Sequence, residues 1–434
     1  MLTRILHNSP NLCEFIERLD LPLTEPQRQH VINLVDALLV CDSDKTLSEL
    51  QRQFVQCVDA SNMADTLRIG PWTAEAIRHR VGVFLLTEAI DRVERLGLPK
   101  VVCISLDDSL GAKDKATRHL EVVDWHYDHT ESSKGKPHYK NGFVYLDCNL
   151  WIGGLAFTYT IRLYLREETV RRLNRTRASA HHLHFVSKNS LLRQILEELK
   201  SLLPKDFSVY VLFDIWYASA RSLKYIHRQG WHTICAIKSN RKLNGHRADQ
   251  RILAQRHRRY THVIITAADD TRTIYLVRDM VGRLEDVPFN VRVLVSKRHY
   301  RDRHPAYFIC TDLSLGLSQP LQWYAKRWGC ETDNFYLKTR LGLGDFRVQS
   351  YEATDKWCAV VHLGWAYVQW RLILEQDDHL RTPADVIRRH RDEHTRDWLV
   401  GACQEAIATG DVEAVVQRFM REDECSSSLR RLQA

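Results

Sequence analysis

Four side chains of one predicted helix combine an acid, two cations and a phenol. The stretch WYAKRWGCETDNFYLK, from Trp323 to Lys338, predicts a helix. Tyr324, Arg327, Glu331 and Lys338 are separated by three, four and seven residues, so at roughly 100° per residue they fall within about 60° on one face. Arg327 and Glu331 also suit an ordinary surface ion pair worth about 0.3–0.5 kcal/mol. The helix alone therefore leaves both interpretations open.

Two further acidic sites follow short apolar runs. Val101–Leu106 leads into Asp107 and Asp108, and Ser208–Phe213 leads into Asp214. Such runs predict buried strands with an acid at the tip, and reactive groups of open α/β sheets gather beyond strand ends. Hard cations such as Mg²⁺ prefer oxygen ligands, and two of them about 4 Å apart stabilise both oxygens of a phosphoryl transfer. The pattern indicates a site for two divalent metal ions.

These residues carry a family resemblance over about residues 101–375. The acids Asp108, Asp214 and Glu331, with the helical signature, resemble the DDE transposases of the IS4-type superfamily. The stretches LDDSLGAKDK, VLFDIWYAS, AIKSNRKL and YAKRWGCETDNFYLK are most similar to its IS701-like branch. One departure is Trp216-Tyr217, where the superfamily usually has a small residue before the aromatic. The resemblance implies cut-and-paste transposition, in which DNA is cleaved and joined at the ends of an insertion sequence.

The resemblance also implies roles for individual residues. Asp108, Asp214 and Glu331 would be catalytic and would hold two Mg²⁺ or Mn²⁺ ions. Strand alternation puts Asp107 and Asp108 on opposite sides, so one of them should face the metals. Asp108 is favoured because the metal-binding aspartate of the related enzymes directly precedes Ser or Thr, here Ser109. Asp107 remains the alternative.

DNA contacts are expected on the same helix and after a predicted strand. Arg327 would bind phosphate bidentately, Lys338 would add a point charge, and Tyr324 would lie at the strand break. After the predicted fifth strand come four basic and amide side chains: Lys238, Asn240, Arg241 and Lys242. Side chains of this kind at the end of a core strand suit contacts with backbone phosphates. A solvated turn explains them equally well. The expected partners are double-stranded terminal inverted repeats and target DNA, bound by a homodimer.

Composition narrows the class of protein. The net charge is +8 over 434 residues, and it lies entirely beyond residue 100, as expected for a region that meets phosphates. Eleven cysteines occur singly, without C-x2-C pairs, which argues against a structural zinc site. The His- and Asp-containing stretch 124–141 is interpreted as a polar loop. With no leader and no apolar run of membrane length, we expect a cytoplasmic, nucleoid-associated protein without membrane contact.

The order of predicted elements indicates an α/β fold. Three strands, a helix and the Asp214 strand follow one another, which is the order of an RNase H-like core with a mixed five-stranded sheet and helices. The helical spacing of apolar residues in 1–97 predicts an all-helical N-terminal domain. We expect this domain to serve in DNA-end recognition or dimerisation. The core would span 98–242 and 321–377, interrupted by a β-rich insertion at 243–320, with a helical basic tail at 378–434. The apolar run from Trp357 to Leu374 predicts a core helix.

Two other functions fit the same residues. One is a metal-dependent RNase H-like nuclease that cuts without strand transfer. The other is a domesticated DNA-binding protein that no longer cuts.

Overall fold

The computed structural model describes residues 4–56, 58–128, 131–133, 135–254, 257, 259–266, 271–374 and 380–420. Helices lead the chain: α1 (Pro10–Arg18), α2 (Glu25–Val40), α3 (Leu47–Gln51), α4 (Ala60–Arg68) and α5 (Ala74–Leu96). Their starts follow the sequence signals, since Thr24 and Gln27 form a capping box on α2 and the Thr73 hydroxyl caps α5.

Strands and helices then alternate through the core. The first part contains β1 (Val101–Ala112), β2 (Asp124–Tyr127), β3 (Tyr139–Ile152), β4 (Leu155–Tyr164), α6 (Glu167–Asn174), α7 (Lys188–Leu202), β5 (Ser208–Phe213), α8 (Ala220–Arg228) and β6 (His232–Ala236). The insertion contains β7 (Lys242–Leu243), β8 (His246–Arg247), α9 (Ala248–Ala254), β9 (Thr261–Thr266), β10 (Arg272–Arg283), β11 (Asn290–Lys297) and β12 (Ala306–Cys310). The last part contains α10 (Ser318–Tyr324), α11 (Trp328–Thr339), α12 (Tyr351–Leu374), α13 (Pro383–Thr409) and α14 (Val412–Phe419).

The central sheet has the strand order of an RNase H-like core. β3 is antiparallel to both β1 and β4, while β5 is parallel to β1 and β6 is parallel to β5. The order is thus β4-β3-β1-β5-β6, with β2 paired to the beginning of β3. Gly153 and Gly154 connect β3 to β4 with φ of +56° and +90°, which residues with a Cβ rarely adopt. The α/β, RNase H-like prediction is confirmed.

The β-rich insertion extends this same sheet. β12 pairs antiparallel with β6, and β11, β10 and β9 follow in order, which gives ten strands in the described part of the chain. The stretch 124–127, within the predicted polar loop, forms β2 because it pairs with β3. The division into five segments, with its four boundaries, stays a prediction.

Helix α12 is the centre of the hydrophobic core. Trp357, Trp365 and Tyr367 are fully buried, and a single apolar cluster contains residues of α12, the sheet and the N-terminal helices. The predicted core helix is therefore confirmed by burial. None of the helices in the described ranges has the length and apolar character that a membrane crossing requires.

The C-terminal helix α13 is attached to α2 by buried polar contacts. Oδ1 of Asp36 lies 2.8 Å from Nε2 of His390 and 2.7 Å from Nε2 of His394. Arg391 donates to the carbonyl oxygen of Leu39 at 2.8 Å. Two members of the basic cluster at 388–391 thus contribute to packing within the protein.

The helix predicted from Trp323 to Lys338 is interrupted. α10 ends at Tyr324, a 3₁₀ turn covers Ala325–Arg327, and α11 begins at Trp328. The prediction of one continuous helix was wrong, but a turn with three residues per turn places Tyr324 over Arg327, whose guanidinium carbon lies 6.0 Å from the centroid of the Tyr324 ring. Glu331 and Lys338 keep the predicted helical spacing within α11, and Arg327 directly precedes this helix.

We predict that His362, in α12, makes stability depend on pH. Its Nε2 lies 3.3 Å from the carbonyl oxygen of Thr158, and burial lowers its pKa to about 4. The unfolded chain binds this proton below about pH 6.5, so the contribution to stability is present above 6.5 and is lost towards pH 4. In His362→Gln, the slope of unfolding free energy against pH near 5 should fall by up to about 1.4 kcal/mol per unit. Urea titrations from pH 4 to 7 measure it, and equal slopes in both proteins would contradict it.

Candidate active site

The two adjacent aspartates of β1 face opposite sides of the sheet. Asp107 Oδ2 accepts a hydrogen bond from Arg327 Nη1 at 2.5 Å, on the side covered by α11. Asp108 contacts Lys188 Nζ at 2.6 Å and the Tyr217 hydroxyl at 2.6 Å, on the side of α7. Alternation along the strand causes this separation. Asp107, and not the predicted Asp108, therefore lies on the side of Glu331.

Asp214 lies beside these aspartates because β1 and β5 are parallel neighbours. Leu106 pairs with Phe213, so Asp107 and Asp214 each follow a paired position at the same edge. One oxygen of Asp214 accepts a hydrogen bond from the backbone N–H of Trp216 at 2.8 Å. The second acid of the sequence prediction is thus at the carboxyl end of a core strand, as predicted.

Helix α11 brings Glu331 to the same place. Arg327 Nη2 donates to Glu331 Oε1 at 3.3 Å while its Nη1 donates to Asp107, so one guanidinium connects the helix to β1. The Glu331 side chain remains 43% exposed. This exposed carboxylate can reach a ligand that approaches from solvent.

Buried polar contacts hold α11 against the sheet. Asp333 accepts hydrogen bonds from Asn149 Nδ2 at 2.7 Å and from Trp365 Nε1 at 3.0 Å. The Tyr145 hydroxyl donates to Asn334 Oδ1 at 2.6 Å. A Cβ on Gly329 would approach Asn149 Oδ1 to 2.4 Å, so a larger residue would move the helix outward. These contacts determine where Glu331 lies.

The acids are close enough to perturb one another. Burial raises the pKa of Asp107 to about 6; Arg327 opposes this shift, and Asp214 and Asp108 add to it. Burial also raises the pKa of Asp214, with a further contribution from Asp108. Crowded carboxylates with raised pKa values attract cations, and Arg327 and Lys188 supply positive charge here.

The donor set fits a hard divalent cation. Carboxylate oxygens from β1, β5 and α11 are the ligands that Mg²⁺ and Mn²⁺ favour. Among the described residues, two groups of three have ligand atoms that all lie within 4.8 Å of one another, namely Asp36-His390-His394 and Asp128-Glu131-His138. Asp108, Asp214 and Glu331 do not form such a group. The predicted metal ligands share one charged cluster but do not form a closed cage.

The predicted DNA-binding residues of the helical signature are partly engaged within the protein. Lys338 donates to Ser109 Oγ at 2.6 Å and to the Leu110 carbonyl at 2.8 Å. The Tyr324 ring packs against Phe308 with a centroid distance of 4.9 Å, and burial raises its pKa to about 12. Lys338 thus attaches α11 to β1, and Tyr324 attaches α10 to β12.

The segment after β6 is more exposed. Lys238 and Asn240 are exposed and line a cavity of about 780 Å³ together with Ile215, which follows Asp214. Arg241 donates to the carbonyl oxygen of Ala218 at 2.7 Å, and Lys242 lies 3.1 Å from Glu285. Lys238 and Asn240 are therefore the members of this group best placed for a ligand near Asp214.

Sequence reasoning missed the residues that hold the acids. Lys188 and Tyr217 both contact Asp108, and Asn149 and Asp333 anchor α11. Tyr217 follows Asp214 closely, which was a usable signal. The others lie on elements whose packing onto β1 and β3 no local pattern specifies.

We predict that Asp107→Asn stabilises the protein in EDTA at pH 7. The pKa of Asp107 is raised to about 6, whereas an unfolded aspartate titrates near 4. Folding thus opposes ionisation of this carboxyl, and wild-type stability is lost as pH rises from about 4 to 6. The variant should gain about 1–3 kcal/mol at pH 7 and nothing below pH 4. Guanidinium denaturation at both pH values measures the gain.

Asp312→Asn is the matched control. Burial alone would raise the pKa of Asp312, but hydrogen bonds from Ser314 and Tyr210 lower it, so this change should destabilise. A less stable Asp107→Asn protein at pH 7 would mean that the Arg327 ion pair outweighs burial.

Comparisons with known proteins place these features in a family. A family model described as DDE superfamily endonuclease (DDE_5) matches residues 18–265, which include Asp107, Asp108 and Asp214. No curated protein matches this chain. A solved structure described as piggyBac transposase synaptic complex with hairpin DNA is similar at 10% identity and a TM-score of 0.46, over 98% of this chain and 84% of that one. Because the family model covers more than half of the sequence, the chain belongs to the DDE superfamily endonuclease family.

Proposed function

We propose that the protein is a DNA transposase that cleaves DNA at the ends of an insertion sequence and joins them to target DNA. The observation that carries the proposal is the contact of Arg327 with both Asp107 and Glu331, close to Asp214. The aspartates directly follow the last paired residues of β1 and β5, two parallel strands of an RNase H-like sheet, and Glu331 comes from α11. Membership in the endonuclease family supports the reaction class. We assign the chain to the IS4-type superfamily and its IS701-like branch on the sequence signature.

Asp214 and Glu331 are proposed metal ligands, together with an aspartate of β1. The sequence signature favours Asp108, whereas the ion pair between Asp107 and Arg327 favours Asp107 as the neighbour of Glu331. Two Mg²⁺ or Mn²⁺ ions would activate the attacking water or 3′-hydroxyl and stabilise the departing oxygen. The carboxylates hold the ions, and their negative charge selects cations.

Cationic side chains around the acids are proposed to hold the DNA strand. The Arg327 guanidinium has a planar set of donors, so an arriving phosphate can replace one of its two carboxylate partners. Lys238 and Asn240 would follow the backbone from Asp214 along the adjoining cavity. Tyr324 and Lys338 would keep the strand break aligned by fixing α10 and α11. Terminal inverted repeats, target DNA and a DNA-bound homodimer are the proposed partners.

Glu331→Gln tests the catalytic role of the helix. Losing one charged metal ligand should reduce strand cleavage by at least about 100-fold, while binding of an end-containing duplex stays within about twofold because the cationic side chains remain. Gel-based cleavage with Mg²⁺ or Mn²⁺ and fluorescence anisotropy measure the two properties.

Glu413→Gln, at an exposed position of α14, removes the same charge outside the acidic cluster and should cleave normally. Undiminished cleavage by Glu331→Gln would refute the assignment. Transfer of cleaved ends into a plasmid separates a transposase from a nuclease that cuts without joining. Specific end binding without cleavage in either metal would instead identify a DNA-binding protein that no longer cuts.

Asp107→Asn and Asp108→Asn, compared side by side, identify the ligand on β1. The variant that removes a metal ligand should lose at least about 100-fold in cleavage, and more Mn²⁺ should partly restore it. The other should lose less than about 10-fold. Mn²⁺ titration by calorimetry gives an independent measure, and equal loss in both would show that the ions use both faces of β1.

A further inference from the structure

A cluster of one carboxylate and two imidazoles lies buried between α2 and α13. Asp36 of α2 and His390 and His394 of α13 have ligand atoms that all lie within 4.8 Å of one another. Their side chains are 0%, 1% and 3% exposed, in the same order. The cluster contains none of the acids of the candidate active site, so the proposed function does not account for it.

The two histidines share one face of their helix. His390 and His394 are four residues apart on α13, a spacing that brings side chains together over one helical turn. Their ring centroids lie 4.9 Å apart, and both Nε2 atoms approach the same Oδ1 of Asp36, at 2.8 and 2.7 Å. Two histidines at positions i and i+4 of a helix commonly bind zinc. Cysteine spacing does not bear on a site of this kind.

The other oxygen of Asp36 is held separately. Oδ2 accepts hydrogen bonds from the backbone N–H of Ser9 at 3.0 Å and from Asn8 Nδ2 at 3.1 Å. Both donors fix the carboxylate, and Oδ1 faces the histidines. Burial alone would raise the pKa of Asp36, but hydrogen bonds from His390 and His394 lower it. The carboxylate is therefore an anion at neutral pH, as a metal ligand must be.

The far nitrogen of His390 also has a partner. Its Nδ1 lies 3.4 Å from the Tyr367 hydroxyl oxygen, to which Arg371 Nη1 donates at 3.0 Å. A histidine that binds metal through Nε2 carries its ring proton on Nδ1, and this proton can be donated to the Tyr367 oxygen. Outer hydrogen bonds of this kind orient metal-binding histidines.

We propose that Asp36, His390 and His394 bind one structural Zn²⁺ ion that fastens α13 to α2. Zinc bonds of about 2.0–2.1 Å in a tetrahedron separate neighbouring ligand atoms by about 3.3 Å, so binding requires each nitrogen to move about 0.5 Å away from the Asp36 oxygen. Imidazole nitrogens favour zinc over Mg²⁺ and Mn²⁺. Three protein ligands leave one tetrahedral position for a water molecule, and the burial of all three keeps substrates out.

Co²⁺ substitution tests this site in the full-length protein. Tetrahedral Co²⁺ bound to two imidazoles and a carboxylate absorbs visible light strongly, whereas Co²⁺ held by carboxylates and water in the acidic cluster is octahedral and absorbs weakly. Wild-type protein, stripped with EDTA and dialysed, should develop the strong band with one equivalent of Co²⁺ and lose it when Zn²⁺ is added. Free Zn²⁺ at 100 times its Kd should raise the Tm by about 3 °C.

His394→Gln separates zinc binding from hydrogen bonding. A glutamine amide can still donate to Asp36, but it does not replace an imidazole as a zinc ligand. The variant should bind Zn²⁺ at least about 100-fold more weakly and lose the Co²⁺ band. Glu331→Gln and His138→Gln are the matched controls, because they alter the acidic cluster and the other group of three. Both should keep the band.

Thermal melting in EDTA verifies that each variant is folded. Absence of the strong Co²⁺ band from folded wild-type protein would overturn the proposal, and this measurement needs no variant. Zn²⁺ affinity and a Co²⁺ band that are unchanged in folded His394→Gln would also overturn it. The inference does not depend on the proposed function. A protein that binds Zn²⁺ through His394 but never cleaves DNA would support the zinc site while refuting the transposase assignment.

Discussion

The concentration of negative charge where the parallel pairing of β1 and β5 ends is the constraint on which the site depends. Asp107 and Asp214 occupy equivalent positions after paired strand residues, and burial raises the pKa of each. Arg327 offsets part of this repulsion by contacting Asp107 and Glu331 together. Keeping these carboxylates adjacent lowers the stability of the fold, but it provides a surface that can bind cations and phosphates.

The position of Glu331 depends on residues that touch neither metal nor DNA. Asp333 is fully surrounded by α11, α12 and the sheet, where Asn149, Trp365 and Gln369 donate hydrogen bonds to it. A buried polar network of this kind permits few alternative registers, because each shift would leave a polar atom without a partner. The position of Glu331 therefore depends on how α11 packs against α12 and the sheet.

The rest of the chain reinforces the same sheet. The insertion continues it beyond β6, and the N-terminal helices share one apolar cluster with α12. Residues that are distant in sequence, such as Asp108 and Lys188, become neighbours in this way. The exposed ribbon of β2 and β3 adds aromatic rings next to Asp108. Acids, cations and aromatic rings are thus positioned by one rigid sheet.

The sequence by itself determined the α/β class, the RNase H-like strand order, the core helix around Trp357 and the acid at the tip of β5, whereas β1 continues past its two aspartates to Ala112. These features follow from apolar periodicity and turn residues, which act locally. Only tertiary structure decided that Asp107 rather than Asp108 lies beside Arg327, that Lys338 is bound to β1, and that residues 124–127 form a strand. It also decided that a 3₁₀ turn separates Tyr324 from α11. These outcomes depend on which elements pack together, and burial and pairing across the sheet outweigh local propensity there.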